Sequence, residues 1–111
     1  MAVYSNLTVD QGSDATFTID VTDTNGGALN LTGYTVAGQI RKSFSSSTAV
    51  DFVASVSSAL NGEVTLTLSN SVTNGMKAGR YLYDVEITSS GGSKTRVLEG
   101  QLEVMAGVTQ T

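Results

Sequence analysis

The chain contains no histidine, no cysteine, no tryptophan and no proline. Without histidine or cysteine there is no Ser-His-Asp triad, no cysteine nucleophile and no zinc site built on those ligands. Carboxylates, lysine and tyrosine remain for acid–base work, but the usual means of tuning it are missing. Basic charge is also scarce. Six Lys and Arg stand against ten Asp and Glu, for a net charge of −4 and a pI near 4.4. Nucleic-acid affinity comes mostly from Lys and Arg against phosphate, so no nucleic-acid partner is expected. No apolar run reaches the ~18 residues of a membrane span, so no membrane partner is expected either. The segment Met1–Ser5 has neither a basic nor an apolar region of the signal-peptide kind, and no such peptide is expected.

What the chain does have is hydroxyl. Ser and Thr together number 29 of 111 residues, while charged residues are only 14%. Its polar surfaces are therefore mostly hydroxyl-bearing. β-Branched threonine suits the pleated surface of a strand. A mass of 11.5 kDa fits one domain, taken as residues 1–111, large enough to fold without metal or disulfide.

Apolar residues alternate with polar ones along nearly the whole length. Phe17, Ile19 and Val21 sit two apart, with Thr16, Thr18, Asp20 and Thr22 between them. Val36 and Ile40 flank Gly38, and Tyr34 precedes them. Val50, Phe52, Ala54 and Val56 form the next series, and Val64, Leu66 and Leu68 follow. Tyr81, Tyr83, Val85 and Ile87 make another, and Leu98, Leu102 and Val104 the last, with Gly100 in an apolar slot. Each series predicts a strand with one face on a core and one in solvent. With a further strand near Leu7 and Val9, about seven are expected. Glycine-rich turns separate them: Asp23–Gly27, predicted to close a hairpin, then Asn61-Gly62 and Ser89–Ser93. Ser43–Thr48 reads as a loop.

One segment departs from period two. Leu68, Val72 and Met76 are spaced by four, which predicts one or two helical turns capped by Ser69 or Asn70. Such a piece could be a binding lid or a crossover between two sheets, and the crossover is the favoured reading. Seven short strands with turns every 8–12 residues predict an all-β, two-sheet antiparallel sandwich, with a small barrel as its rival.

Candidate sites are few. Asp84 and Glu86 share one strand face, and Glu99 and Glu103 another. Paired carboxylates can serve a glycosidase or hold calcium. The favoured reading is a solvated face balanced by Arg80, Lys94 and Arg96 across the hairpin. Asp20–Gly26 partly matches a calcium loop, but Val21 and Thr32 occupy ligand positions, so it reads as a turn. Asn6-Leu7-Thr8 and Asn30-Leu31-Thr32 match the glycosylation pattern and are expected to be silent. Arg41-Lys42 with Phe44 is the one basic and aromatic cluster, read as a strand end running into solvent. No catalytic, cofactor-binding or metal-binding residues are assigned. No cofactor and no small-molecule substrate are expected.

Two stretches carry a family resemblance when taken together. The first runs Asn30-Leu31-Thr32-Gly33-Tyr34 to Gln39-Ile40-Arg41-Lys42. The second runs Lys77-Ala78-Gly79-Arg80-Tyr81-Leu82-Tyr83-Asp84-Val85-Glu86-Ile87, closed by Thr95–Gly100 and Val108-Thr109. Their order resembles small immunoglobulin-like β-sandwich virion proteins of tailed bacteriophages, including cyanophage structural proteins and the N-terminal domain of baseplate upper proteins. The resemblance spans about Leu7 to Thr109 and implies an immunoglobulin-like sandwich without catalysis. It implies a virion part, made in the host bacterial cytoplasm, whose partners are other virion proteins and further copies of itself. Placement in the tail, neck or baseplate region and capsid decoration both stay open, since baseplate upper proteins carry further domains beyond the sandwich. A glycan-binding adhesion module is the second class. Within an immunoglobulin-like sandwich, Tyr81 stands where a corner tyrosine bonds back to upstream backbone, and Tyr83 at the following core position. Phe17, Phe52, Tyr81 and Tyr83 are predicted core aromatics.

Overall fold

A computed structural model describes residues 3–23, 25–43 and 49–107 of the protein. Most of the predicted loop at Ser43–Thr48 lies outside them, including Phe44, as do Thr24 and Val108-Thr109. The elements in chain order are β1 (Val3–Tyr4), β2 (Leu7–Asp10), β3 (Ala15–Asp20), β4 (Thr35–Arg41), β5 (Val50–Asp51), β6 (Val53–Ser58), β7 (Glu63–Leu68), α1 (Asn70–Asn74), β8 (Gly79–Thr88) and β9 (Lys94–Met105). They form two packed sheets. One is six-stranded, in the order β1-β9-β8-β4-β5 with β2 also on β9; the other is β3-β7-β6. The protein is an all-β sandwich, and the division of its strands follows the immunoglobulin arrangement.

The alternation sets the inner faces. Val64, Leu66 and Leu68 of β7 are buried, as are Val85 and Ile87 of β8 and Leu98, Leu102 and Val104 of β9. Tyr83 and Phe52 join them, while Phe17 and Tyr81 are half-buried against this core. Phe52 packs edge-on to both Phe17 and Tyr83, with ring centroids 6.5 and 6.2 Å apart. Gly38 makes room for it. A Cβ at that position would come within 2.9 Å of the Phe52 ring.

Four details differ from the sequence expectation. The series Val50–Val56 is not one strand. Its chain pairs with β4 at Val50 and Asp51, buries Phe52, and then joins β7 in the opposite sheet. A buried aromatic between two short strands lets one segment serve both sheets. The N-terminal strands also depart from an antiparallel plan, since β1 and β2 both run parallel to β9. The turn at Asp23–Gly27 closes only a single bridge, Thr22 to Ala28, rather than a hairpin of two strands. There Asp23 Oδ1 accepts from the backbone N–H groups of Asn25 and Gly27, at 2.9 and 3.0 Å. Finally, α1 does form the crossover from β7 to β8, but its inward residue is Thr73 (0% exposed) and not Val72 (37% exposed).

Thr73 is inside because its hydroxyl has three partners. It donates to Ser13 O at 2.8 Å, lies 3.2 Å from Asn70 O, and accepts from the N–H of Gly12 at 3.1 Å. This network ties the crossover to the turn between β2 and β3. Ser69 is the N-cap but makes no side-chain cap bond. Asp14 Oδ1 instead accepts from the Asn70 N–H at 2.7 Å.

Candidate functional site

The outer face of the six-stranded sheet is the candidate site. The pairing registers align one row of side chains across it: Asp51, Gln39, Asp84, Glu99 and Tyr4, contributed by β5, β4, β8, β9 and β1. The next row holds Arg41, Leu82 and Gln101, and the one beyond it Arg80, Glu103 and Thr8. A hollow on this face is about 530 Å³ and is lined by Tyr4, Gln39, Arg41, Leu82, Asp84 and Arg96, among others.

A β-bulge places the central cation. Strict alternation back from Glu99 would send Val97 and Thr95 outward and Arg96 inward. The register shifts between Val85 and Glu86, so Arg96 pairs with Glu86 on the outer face. Its Nε lies 3.3 Å from Asp84 Oδ2, and its Nη1 4.0 Å from Glu99 Oε1. A second network lies toward β5. Gln39 Nε2 donates to Asp51 Oδ1 at 2.9 Å, and Arg41 Nη2 donates to Gln39 Oε1 at 3.0 Å. These pairs are partly exposed, so each contributes little stability. They bring planar amide, carboxylate and guanidinium groups together on this face.

The predicted carboxylate pairs are therefore part of a charge-balanced sheet face. Asp84 and Glu99 meet through Arg96, while Glu86 and Glu103 oppose Arg96 and Arg80. Among the described residues no three carboxylates come together as a metal site. Of the Asp20–Gly26 stretch, Asp20 ends β3 and Thr22 bridges Ala28, while Gly26 N donates to Asp23 O at 3.1 Å in the turn beyond; Thr24 lies outside the described residues. Asn30 Oδ1 accepts from the N–H and Oγ1 of Thr32, at 3.0 and 2.7 Å. Asn6 Oδ1 accepts from the N–H of Gln101 at 3.2 Å. Lys42 sits over the Tyr81 ring, with Nζ 4.7 Å from its centroid, rather than extending freely into solvent.

Tyr81 Oη donates to Lys77 O, four residues upstream and just before β8, at 2.7 Å. This is the corner bond, and the residue two further on is the core position. Tyr83 has a second role that its sequence position did not reveal. Its hydroxyl passes under the hollow and donates to Ser5 O at 2.5 Å. There the chain kinks between β1 and β2, and Ser5 N donates to Glu99 O at 2.8 Å. The Ser5 carbonyl crosses directly over Gly100, where any Cβ would collide with it. Burial pushes the Tyr83 phenol from 10.0 up to about 12. The apolar slot at Gly100 was visible in the sequence, but not the strand that needs it empty.

No protein-family model and no curated protein matches the chain. Among solved structures it is similar to an internalin-like protein of Listeria monocytogenes, at 17% identity and a TM-score of 0.46, over 96% of this chain and 28% of that one. It is also similar to a family 123 glycoside hydrolase from Clostridium perfringens, at 12% identity and a TM-score of 0.43, over 96% and 24%. The chain spans about a quarter of the length of each. At these values neither likeness carries a functional argument.

Proposed function

We propose that the protein is a non-enzymatic structural component of a tailed-phage virion, built into the particle through protein–protein contacts. The tail, neck or baseplate region is the favoured placement, and capsid decoration the alternative. The sequence motifs support the phage reading. Their residues have structural tasks in the fold: Leu31 is buried at a tight turn in which Tyr34 N donates to Leu31 O, Ile40 is core, Tyr81 bonds back to Lys77 O before β8, and Tyr83 holds Ser5 O between β1 and β2. The observation that carries the assembly reading is an open sheet edge. Among the described residues β3 pairs with β7 alone, leaving one side of a six-residue strand without a neighbour. Open edges are templates for another chain. The test is quantitative mass spectrometry of purified particles of the encoding phage. A fixed copy number in multiples of six supports a tail or neck ring, and absence from the particle contradicts the reading.

A second reading has its own observation. Tyr4 stands 64% exposed at the rim of the polar hollow, and Leu82 lies in its wall. An aromatic rim beside planar amide, carboxylate and guanidinium groups suits a sugar ring. Saturable hits on a glycan array that disappear in Tyr4→Ala would move this reading ahead of the first.

A further inference from the structure

We propose that two copies of this chain join through β3, edge to edge and antiparallel, with Thr18 on the two-fold axis. This rests on the assembly reading above and names its partner. The other edges are blunted. The β1–β2 edge is broken at Ser5–Asn6, and β5 is two residues long. β6 carries a register shift between Val56 and Ser58 and lies against β4. Short strands, bulges and cover are the devices that keep edges from pairing. β3 has none of them: it is six residues long, pairs without irregularity along its length and, among the described residues, packs extensively against β7 alone. Its inner-face residues Ala15, Phe17 and Ile19 are only half-buried, as expected of a sheet lacking its next strand.

The midpoint of β3 lies between Phe17 and Thr18, and charge chooses between these two axes. With Phe17 on the axis, Asp14 of one copy would face Asp20 of the other, and like charges directly opposite are destabilising. With Thr18 on the axis that conflict is gone. Phe17 faces Ile19 of the second copy on the inner side, an aromatic–β-branched pair of the favourable kind. Thr16 faces Asp20 on the outer side, hydroxyl to carboxylate, and Asp14 faces Thr22. The outer row already running from Thr65 to Thr18 continues into Thr18 and Thr65 of the second copy. The two three-stranded sheets become one of six strands. One strand pair buries less than the ~1,000 Å² of a stable interface, so the dimer is weak in dilute solution and gains from multivalent assembly.

Sedimentation velocity from micromolar to millimolar protein tests this. The wild-type mass should rise toward the dimer, and Thr18→Lys, which opposes two ammonium groups on the axis, should weaken association roughly tenfold or more. Thr18 is exposed on the outer face, and circular dichroism checks that the variant folds. The chain has no cysteine, so Thr18→Cys supplies the only thiol. Residues directly opposite in an antiparallel pair lie ~4.5–5.5 Å apart at Cα, within disulfide reach. Oxidation should give a covalent dimer, and Ser55→Cys on the opposite edge should not. A chain that stays monomeric and does not cross-link at position 18 overturns the proposal, as does a dimer unaffected by Thr18→Lys. Particle mass spectrometry separates this from the parent reading. A virion protein without β3 pairing refutes only the dimer, and a β3 dimer absent from virions refutes only the virion role.

Discussion

Replacing Tyr83 by phenylalanine removes one oxygen from a ring that is 4% exposed. The ring keeps its edge-on contact with Phe52 at 6.2 Å, so packing changes little. What is lost is the bond to Ser5 O across 78 residues of sequence. A net hydrogen bond contributes about 0.5–1.5 kcal/mol, and a carbonyl left short of a donor adds to the loss. Tyr83→Phe should therefore cost about 1–2 kcal/mol in urea melts at neutral pH. Alkaline titration gives an independent check. The folded-state phenol titrates at about 12 against 10.0 for the ordinary group. Burial raises the pKa, so the stability tied to keeping this phenol neutral is complete below pH 10 and is lost as pH climbs from there through the folded value. The slope is about 1.4 kcal/mol per pH unit, for a total of about 2–3 kcal/mol. The difference in stability between wild type and Tyr83→Phe should therefore shrink above pH 10 and reverse sign at about pH 11, within the window between the two pKa values. Parallel stability curves for the two proteins across that window would refute the reasoning.

Three further outcomes follow from the packing. Gly100→Ala sets a methyl group against the Ser5 carbonyl, so β1 should detach; amide exchange at Val3–Ser5 should accelerate and stability fall by about 1–3 kcal/mol. Phe52→Ala empties the junction where the chain changes sheets and should cost about 3–5 kcal/mol by chemical denaturation. Tyr81→Phe removes a bond that is solvent-exposed while keeping the ring beneath Lys42; its cost should be no more than about 1 kcal/mol, and a larger drop in the urea midpoint would mean that the corner bond dominates the β8 start.

Period-two alternation is a local property, and it told correctly which side chains of β7, β8 and β9 face inward. It could not tell which strand lies beside which. Val50 to Val56 alternates without a break, yet it serves two sheets, because only the room at Gly38 accommodates Phe52 between them. The orientation of Arg96 depends on a bulge that shifts parity by one residue, which no pattern within β9 announces. Spacing by four selected Leu68, Val72 and Met76 as one helical face. Three hydrogen-bond partners instead draw the polar Thr73 inward, and Val72 turns out. Leu31 is buried at 1% exposure from a short turn that shows no periodicity. The hollow was legible only as separate carboxylates, since its central row takes one residue from each of five strands. The pairing of Tyr83 with Ser5 joins segments far apart in the chain and becomes visible only once β1 is seen to cross Gly100.

The assembly account is tested most directly by hydrogen–deuterium exchange at Ala15–Asp20, followed from dilute protein to the assembled or concentrated state. The account predicts that the outward-pointing amides of β3 become protected on assembly while those at the β6 edge do not change. Exchange at β3 that is equally fast in both states would contradict it.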